Sequence, residues 1–189
     1  MSLKYALLGL LSYQPMAGYD LKTIFDESIN HFWTASTSQI YRDLGELEKE
    51  GFTQSHVESQ EGRPDRKVYT VTEEGRHAFI TWLDDFPVKL HSAVREDFLV
   101  RVFFGSRISS EDLRFQFQKY RKEMQASIEH MKEAVEGTSY GDYPEEEQFF
   151  WRMTEKLGYK IAVASEEWAR ECIREIDRFM TEQAVKKEE

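Results

Sequence analysis

The segment Ser36–Phe52, STSQIYRDLGELEKEGF, decides the fold of the surrounding chain. Its apolar residues Ile40, Leu44 and Leu47 recur at intervals of four and three, which places them on one face of a helix. Most of the remaining positions are polar or charged, so the segment predicts an amphipathic helix with one face in a core. The function of its outer face depends on the elements around it.

Both ends of this helix have sequence signals. Ser36 and Gln39 have the spacing of a capping box, and Gly51 is a suitable stop. The outer face is short, polar and able to form hydrogen bonds. It carries Ser38, Arg42, Gly45 and Lys49, flanked by Gln39 and Tyr41.

The neighbouring segments are short and of mixed type. Apolar spacing predicts helices over 5–11 and 18–29, and residues 53–60 and 67–72 are strand-like. The turn EGRPDR separates the two strands, and Thr72 can cap a fourth helix. The order helix–helix–helix–hairpin–helix is typical of a winged helix-turn-helix, in which the third helix enters the major groove of DNA and the hairpin lies along its backbone.

Beyond a connector at about 86–91 the sequence is almost entirely helical. It predicts a helix over 94–104, a long helix capped by Ser109 or Ser110 that ends near 135, and a last helix from Pro144 to about 183. The apolar stripe of the first long helix is Leu113, Phe117, Tyr120, Met124, Ile128, Met131 and Val135. That of the last helix is Phe150, Met153, Leu157, Ile161, Ala164, Trp168, Cys172, Ile176 and Phe179. Two helices cannot cover both stripes, so a homodimer through the C-terminal helices is expected.

These patterns predict a mainly α protein with a small β-hairpin. A winged helix-turn-helix DNA-binding domain is expected over residues 1–86, and a helical dimerisation and effector domain over 87–189. The chain is long enough for two small domains, because it has 189 residues of which 40% are hydrophobic.

The charge of the chain bears on whether it can bind DNA. The net charge is −10, and residues 1–86 hold eight Lys and Arg residues against 14 Asp and Glu residues. DNA-binding domains are usually basic, so DNA binding must depend on local charge. Positive local charge is present at the turn, where Arg63, Arg66 and Lys67 outnumber Glu61 and Asp65.

Several other classes of protein have no support in the sequence. The single cysteine, Cys172, excludes an internal disulfide, and the five histidines have no ligand spacing, so no metal and no cofactor are expected. No segment is apolar enough to span a bilayer, which predicts no membrane partner and a cytoplasmic protein. Phosphate-binding glycine loops and nucleophile–base motifs are lacking, so an enzyme is not expected.

Five fragments in this order resemble the PadR family of bacterial transcriptional regulators, in its longer branch with an extended helical C-terminal domain. They are LLGLL (7–11), GYDL (18–21), FW with SQIYRDLGELEKEGF (32–33 and 38–52), YTVTEEG (69–75) and REDFLVRVFFG (95–105). The resemblance covers almost the whole chain and is closest to the phenolic-acid-responsive type. It implies a dimeric repressor that binds an inverted-repeat operator in double-stranded DNA and releases it when a small molecule binds.

Two sets of site residues follow from this reading. The predicted DNA contacts are Ser38, Gln39, Tyr41, Arg42, Lys49, Arg63, Arg66 and Lys67. The predicted effector site, at the junction of the two domains, is formed by Tyr19, Trp33, His91, Arg95 and Trp151. There the aromatic rings could stack a flat ring and the arginine could pair with a carboxylate, which suits a small aromatic acid.

Alternatives remain open at this point. The five aromatic and basic residues could simply pack the domain junction. The acidic charge would also suit a winged helix that binds only proteins. A multidrug-responsive regulator of the same fold is a third alternative.

Overall fold

The structure is a computed structural model that describes residues 2–59, 65–88, 96–135 and 143–188. The chain forms two compact units, Met1–Ser92 and Ala93–Glu189. In chain order the first unit contains α1 (Ser2–Tyr13), β1 (Met16–Ala17), α2 (Gly18–Ser28), α3 (Thr37–Lys49), β2 (Thr53–Glu58), β3 (Arg66–Val71) and α4 (Glu73–Asp84). The second contains α5 (Asp97–Phe103), a 3-10 turn (Gly105–Arg107), α6 (Ser110–Val135) and α7 (Glu145–Glu188).

The core of the first unit lies between its first three helices and the sheet. The predicted inner face of α3 is confirmed, because Ile40 and Leu44 are fully buried and Leu47 is almost so. Their neighbours in the core come from α1, α2 and β3, and include Leu7, Leu8, Leu11, Leu21, Phe25, Tyr69 and Val71. The order of elements is that of the predicted winged helix-turn-helix, with β2 and β3 as the hairpin of the wing.

The sheet has one strand more than the sequence predicts. All pairings are antiparallel in the order β1–β3–β2, with Met16 opposite Tyr69 on one side of β3 and Ser55 opposite Tyr69 on the other. The predicted hairpin of β2 and β3 is therefore confirmed, and β1 adds a third strand to it. A strand of two residues, Met16 and Ala17, is too short to show alternation, and it is formed only because β3 supplies a partner.

The predicted caps are present at the starts of α3, α4 and α6. Ser36 and Gln39 form the predicted capping box, and Thr72 Oγ1 accepts a hydrogen bond from the Gly75 amide at 3.1 Å. Ser109 Oγ likewise accepts from the Asp112 amide at 3.0 Å at the start of α6. Gly51 follows α3 with a φ of 78°, a conformation that glycine adopts without strain.

Helix lengths differ from the predictions at several ends. α1 extends from Ser2 to Tyr13 rather than over 5–11, and α7 continues to Glu188. α5 begins at Asp97, and the predicted start at residue 94 lies outside the described residues. Helix ends depend on long-range packing as well as on local sequence, so extents are the least reliable part of such predictions.

In the second unit α6 and α7 pack side by side and antiparallel. Arg114 Nε lies 2.5 Å from Asp177 Oδ1, and Arg121 Nε lies 2.6 Å from Glu166 Oε1. An aromatic cluster holds α5 against both helices: Phe98, Phe117, Tyr120 and Trp168, with ring centroids 5.0–6.3 Å apart. No helix in the described part of the chain combines the length and apolarity needed to cross a bilayer.

The two predicted apolar stripes have different surroundings. Phe117 on α6 is 1% exposed, so this position of the α6 stripe is covered within one chain. Trp168 on α7 packs into the cluster that contains Phe117. The N-terminal half of α7, in contrast, has a set of large apolar side chains that are about half exposed: Phe149, Phe150, Met153, Leu157 and Ile161.

Candidate nucleic-acid interface

The outer face of α3 is free of packing contacts with the core. The five residues predicted on this helix to contact DNA are all exposed: Ser38, Gln39, Tyr41, Arg42 and Lys49. At Gly45, a Cβ atom would meet no other atom within 4 Å, so the middle of this face is open. The helix therefore presents a continuous polar surface, held by the apolar face beneath it.

The first turn of this surface is fixed by its own cap. Gln39 Oε1 accepts a hydrogen bond from the Ser36 amide at 2.8 Å, and Ser36 Oγ accepts from the Gln39 amide at 3.3 Å. The Gln39 side chain is thus oriented, and its NH2 group remains available as a donor. Gln39 therefore both caps α3 and is a predicted contact with DNA.

Tyr41 connects α3 to the start of α2. Its ring lies so close to Gly18 that a Cβ atom there would be 2.6 Å from the ring. The Tyr41 side chain nevertheless remains 44% exposed. Contact of Tyr41 with a phosphate or sugar of DNA stays a prediction.

Arg42 is held by a residue that the sequence reading missed. Its Nε and Nη2 atoms each lie 3.2 Å from Asp43 Oδ1, and Asp43 is only 8% exposed. A buried carboxylate needs a partner, and Arg42 provides it. The spacing of Asp43 from Ile40 is the signal that places it on the buried edge of the helix.

Three glutamates near the C-terminal end of α3 would repel DNA phosphate if they were unpaired, and each has a lysine partner. Lys4 Nζ, on α1, lies 3.1 Å from Glu46 Oε2 and 2.6 Å from Glu50 Oε1. Lys67 Nζ, on β3, lies 2.7 Å from Glu48 Oε2. The surface at the C-terminal half of α3 is therefore less negative than a count of its own acidic residues indicates, although the domain as a whole is acidic.

The pKa directions agree with these pairs. The hydrogen bond from Lys4 lowers the pKa of Glu46, and that from Lys67 lowers the pKa of Glu48. The pKa of Lys4 is raised, mainly by its hydrogen bond to Glu50, and the pKa of Lys67 is raised, mainly by its hydrogen bond to Glu48. All four groups are therefore charged at neutral pH.

The wing contributes two described cations. Arg66 lies between Glu58 and Asp20, with Nε 2.8 Å from Glu58 Oε2 and Nη1 3.5 Å from Asp20 Oδ2. Lys67 lies over the ring of Tyr69, 5.0 Å from its centroid. Arg63, the third predicted wing contact, lies outside the described residues.

The predicted effector residues are spread over both units. Tyr19 is 75% exposed in the first turn of α2, whereas Trp33 follows the other end of that helix, which is about 16 Å long. Trp151, in the second unit, packs edge to face on Tyr143 at 5.0 Å. His91 and Arg95 lie outside the described residues, so a common site for the five stays a prediction.

A metal site receives no support from the described ranges, where no three His, Cys, Asp or Glu side chains come together as ligands. The arrangement that remains is a winged helix with an exposed polar face on α3 and a hairpin that carries Arg66 and Lys67, each paired with a carboxylate. This is the architecture of a transcriptional regulator.

The comparisons with known proteins identify the family. Residues 7–80 match the model of the Transcriptional regulator PadR-like family, and residues 94–177 match the Virulence activator alpha C-term model. The chain is 31% identical over 134 residues to the Negative transcriptional regulator PadR of Bacillus subtilis, covering 71% of this chain and 73% of that protein. The chain belongs to the PadR-like family of transcriptional regulators.

Solved structures of similar fold include two complexes of Bacillus subtilis PadR. The complex with operator DNA has 25% sequence identity and a TM-score of 0.72, covering 93% of this chain and 99% of that one. The complex with p-coumaric acid has 25% identity and a TM-score of 0.64, covering 93% and 95%. The resemblance inferred from the sequence is thereby confirmed.

Proposed function

We propose that this PadR-type regulator is a dimeric repressor that binds an inverted-repeat operator and is released by a small aromatic acid. The observation that carries the proposal is the outer face of α3, exposed along its length and closed on its inner side by Ile40, Leu44 and Leu47. A helix of this kind fits the major groove. The operator complex of the Bacillus subtilis relative supports the same use of the fold.

The residues divide into two roles. Ser38, Gln39 and Arg42 lie toward the N-terminal half of α3 and would read base edges, where glutamine suits adenine and arginine suits guanine. The other predicted contacts would bind the DNA backbone and set the register: Tyr41, Lys49, Arg63, Arg66 and Lys67. Local pairing of the α3 glutamates with Lys4 and Lys67 makes such contacts compatible with an acidic chain.

A second copy of the chain is the proposed partner of α7. Its half-exposed side chains Phe150, Met153, Leu157 and Ile161 follow one another at intervals of three and four, so they form one stripe. A contiguous exposed apolar stripe of this size marks an interaction site. A symmetric dimer buries it twice and places two α3 helices for two half-sites.

The proposed effector is a small aromatic acid, such as a hydroxycinnamate. The p-coumaric acid complex of the Bacillus subtilis relative supports this class of ligand. Exposed aromatic rings at Tyr19 and Trp33, with Trp151, could stack a flat ring, while Arg95 or His91 could pair with a carboxylate. A coupling of about 10- to 100-fold in operator affinity, or about 1.4 to 2.7 kcal/mol, is the usual range for such a regulator.

Selection of bound DNA from a random pool tests the DNA-binding part of the proposal. An enriched inverted repeat with half-sites one helical turn or a multiple apart is the expected result. Failure to enrich any sequence would refute it. Addition of hydroxycinnamates to the complex then tests the effector, since unchanged tryptophan fluorescence and unchanged operator binding at about millimolar ligand would exclude this class.

A further inference from the structure

Arg66 of the wing joins two carboxylates from different elements. Its Nε atom contacts Glu58 on β2 at 2.8 Å, and its Nη1 atom lies 3.5 Å from Asp20 on α2. All three side chains are 41–49% exposed, so both solvent and DNA can reach them. The guanidinium therefore links the wing to the helix-turn-helix in the free protein.

The pairing at the wing is not confined to one residue. Lys67 contacts Glu48 at 2.7 Å, so both wing cations in the described residues have a carboxylate partner before DNA arrives. The hydrogen bond from Arg66, together with that from His56, lowers the pKa of Glu58. These carboxylates are therefore negatively charged at the pH at which an operator would bind.

We propose that Asp20 and Glu58 act as internal counterions that compete with DNA phosphate for Arg66 and thereby set operator affinity and its salt dependence. The inference rests on the proposed function, because it concerns the same protein–DNA interface. A phosphate that binds Arg66 must displace Asp20 and Glu58 from the guanidinium. Both carboxylates then lose their ion pair with Arg66 as the phosphate forms one. Each freed carboxylate also lies near the negatively charged backbone.

The exchange has a consequence for ions that can be measured. A lysine or arginine that binds phosphate releases cations condensed on DNA, and this release gives the log–log salt slope. When Arg66 leaves its carboxylates, they take up cations from solution, so the net release is smaller. Removal of a carboxylate should then steepen the slope as well as strengthen binding.

The test uses full-length wild-type protein and the variants Asp20→Asn and Glu58→Gln with the selected operator at several salt concentrations. Each variant should bind about 3- to 10-fold more tightly at about 0.1 M salt, the order expected for loss of one surface ion pair and one repulsive charge. Each log–log slope should steepen by up to about one unit per protomer.

Asp26→Asn is a matched control, because Asp26 lies on the same helix, α2, and pairs with Lys22 rather than with the wing. It changes the net charge equally and should have a much smaller effect on both affinity and slope. In an Arg66→Ala background, the advantage of Asp20→Asn over Asp26→Asn should become smaller, because only the repulsion between Asp20 and DNA remains to be removed. Thermal unfolding of each variant shows whether its fold is intact, and Glu58→Gln provides an independent test if Asp20→Asn is unstable.

Three results would overturn the inference. If Asp20→Asn and Glu58→Gln bind DNA no more tightly than Asp26→Asn, the two carboxylates do not compete with phosphate. If they bind more weakly than wild type, the carboxylates support binding instead. The gain could persist undiminished without Arg66, which would make it a general charge effect. Failure of every protein, including wild type, to bind DNA would refute the proposed function and this inference together.

Discussion

Leu157 offers a direct test of the proposed dimer, because it lies in the middle of the exposed α7 stripe. Its side chain is 59% exposed in the single chain, while full burial of a leucine contributes about 1.5–3 kcal/mol. Burying the exposed part would contribute about 1–2 kcal/mol per copy, and a two-fold dimer buries it twice. Leu157→Lys should therefore cost at least about 2–4 kcal/mol of dimer stability, since its ammonium group must also be desolvated.

The corresponding change in the dimer dissociation constant is about 30- to 1,000-fold, which sedimentation equilibrium can measure. Gln183→Lys is the matched control, because it adds the same charge at an exposed position of α7 away from the stripe. Circular dichroism should show unchanged helix content for both variants. A Leu157→Lys protein that dimerises as tightly as wild type, or a wild-type chain that is monomeric, would refute the assignment of this stripe.

The remaining predictions concern the first unit. Arg42→Ala should change which operator bases matter, whereas Lys67→Ala should weaken binding to all sequences alike. Lys67→Ala should also flatten the salt slope by less than about one unit per protomer, because Glu48 takes up a cation when Lys67 leaves it for phosphate. Equal behaviour of the two variants in a specificity assay would show that the roles are misassigned. Gly45→Ala should raise the free energy of unfolding by about 0.5–1 kcal/mol in denaturant titrations, because the site is open and alanine favours helix; a loss of stability would contradict the open site. The pKa of Glu46 is lowered from 4.5 by Lys4, so the stability due to this pair is present above that pH and is lost as pH falls through the lowered value. Lys4→Met should therefore show a smaller acid loss of melting temperature than wild type below about pH 4.5, and identical acid curves would count against the pair.

Local sequence predicts the parts of this fold that have local causes. The helical spacing of Ile40 and Leu44 is enough to place one face of α3 in the core, because 3.6 residues per turn leave no other arrangement. The capping box at Ser36 and the cap at Thr72 are equally local, since each uses a backbone amide three residues away. Exposure of the predicted recognition face follows from the same geometry.

Local sequence does not predict features that depend on partners far away in the chain. Lys4 reaches Glu50 across 46 positions of sequence, and Arg66 is as far from Asp20, so no local pattern reports either pair. Surface charge counts therefore exaggerate the negative potential beside α3. The same limit applies to α7, where a single apolar stripe in the sequence divides into a packed part around Trp168 and an exposed part.

Salt dependence of operator affinity tests the central claim most directly, because it measures how many cationic contacts the protein makes with phosphate. The cations assigned to the DNA backbone are Lys49, Arg66 and Lys67, together with Arg63. They suit roughly four to eight phosphate contacts per dimer, which predicts a log–log slope of about −4 to −7. A slope in this range on a selected inverted repeat is the result we expect. A slope near zero, or affinity that does not distinguish the repeat from random DNA, would contradict the account.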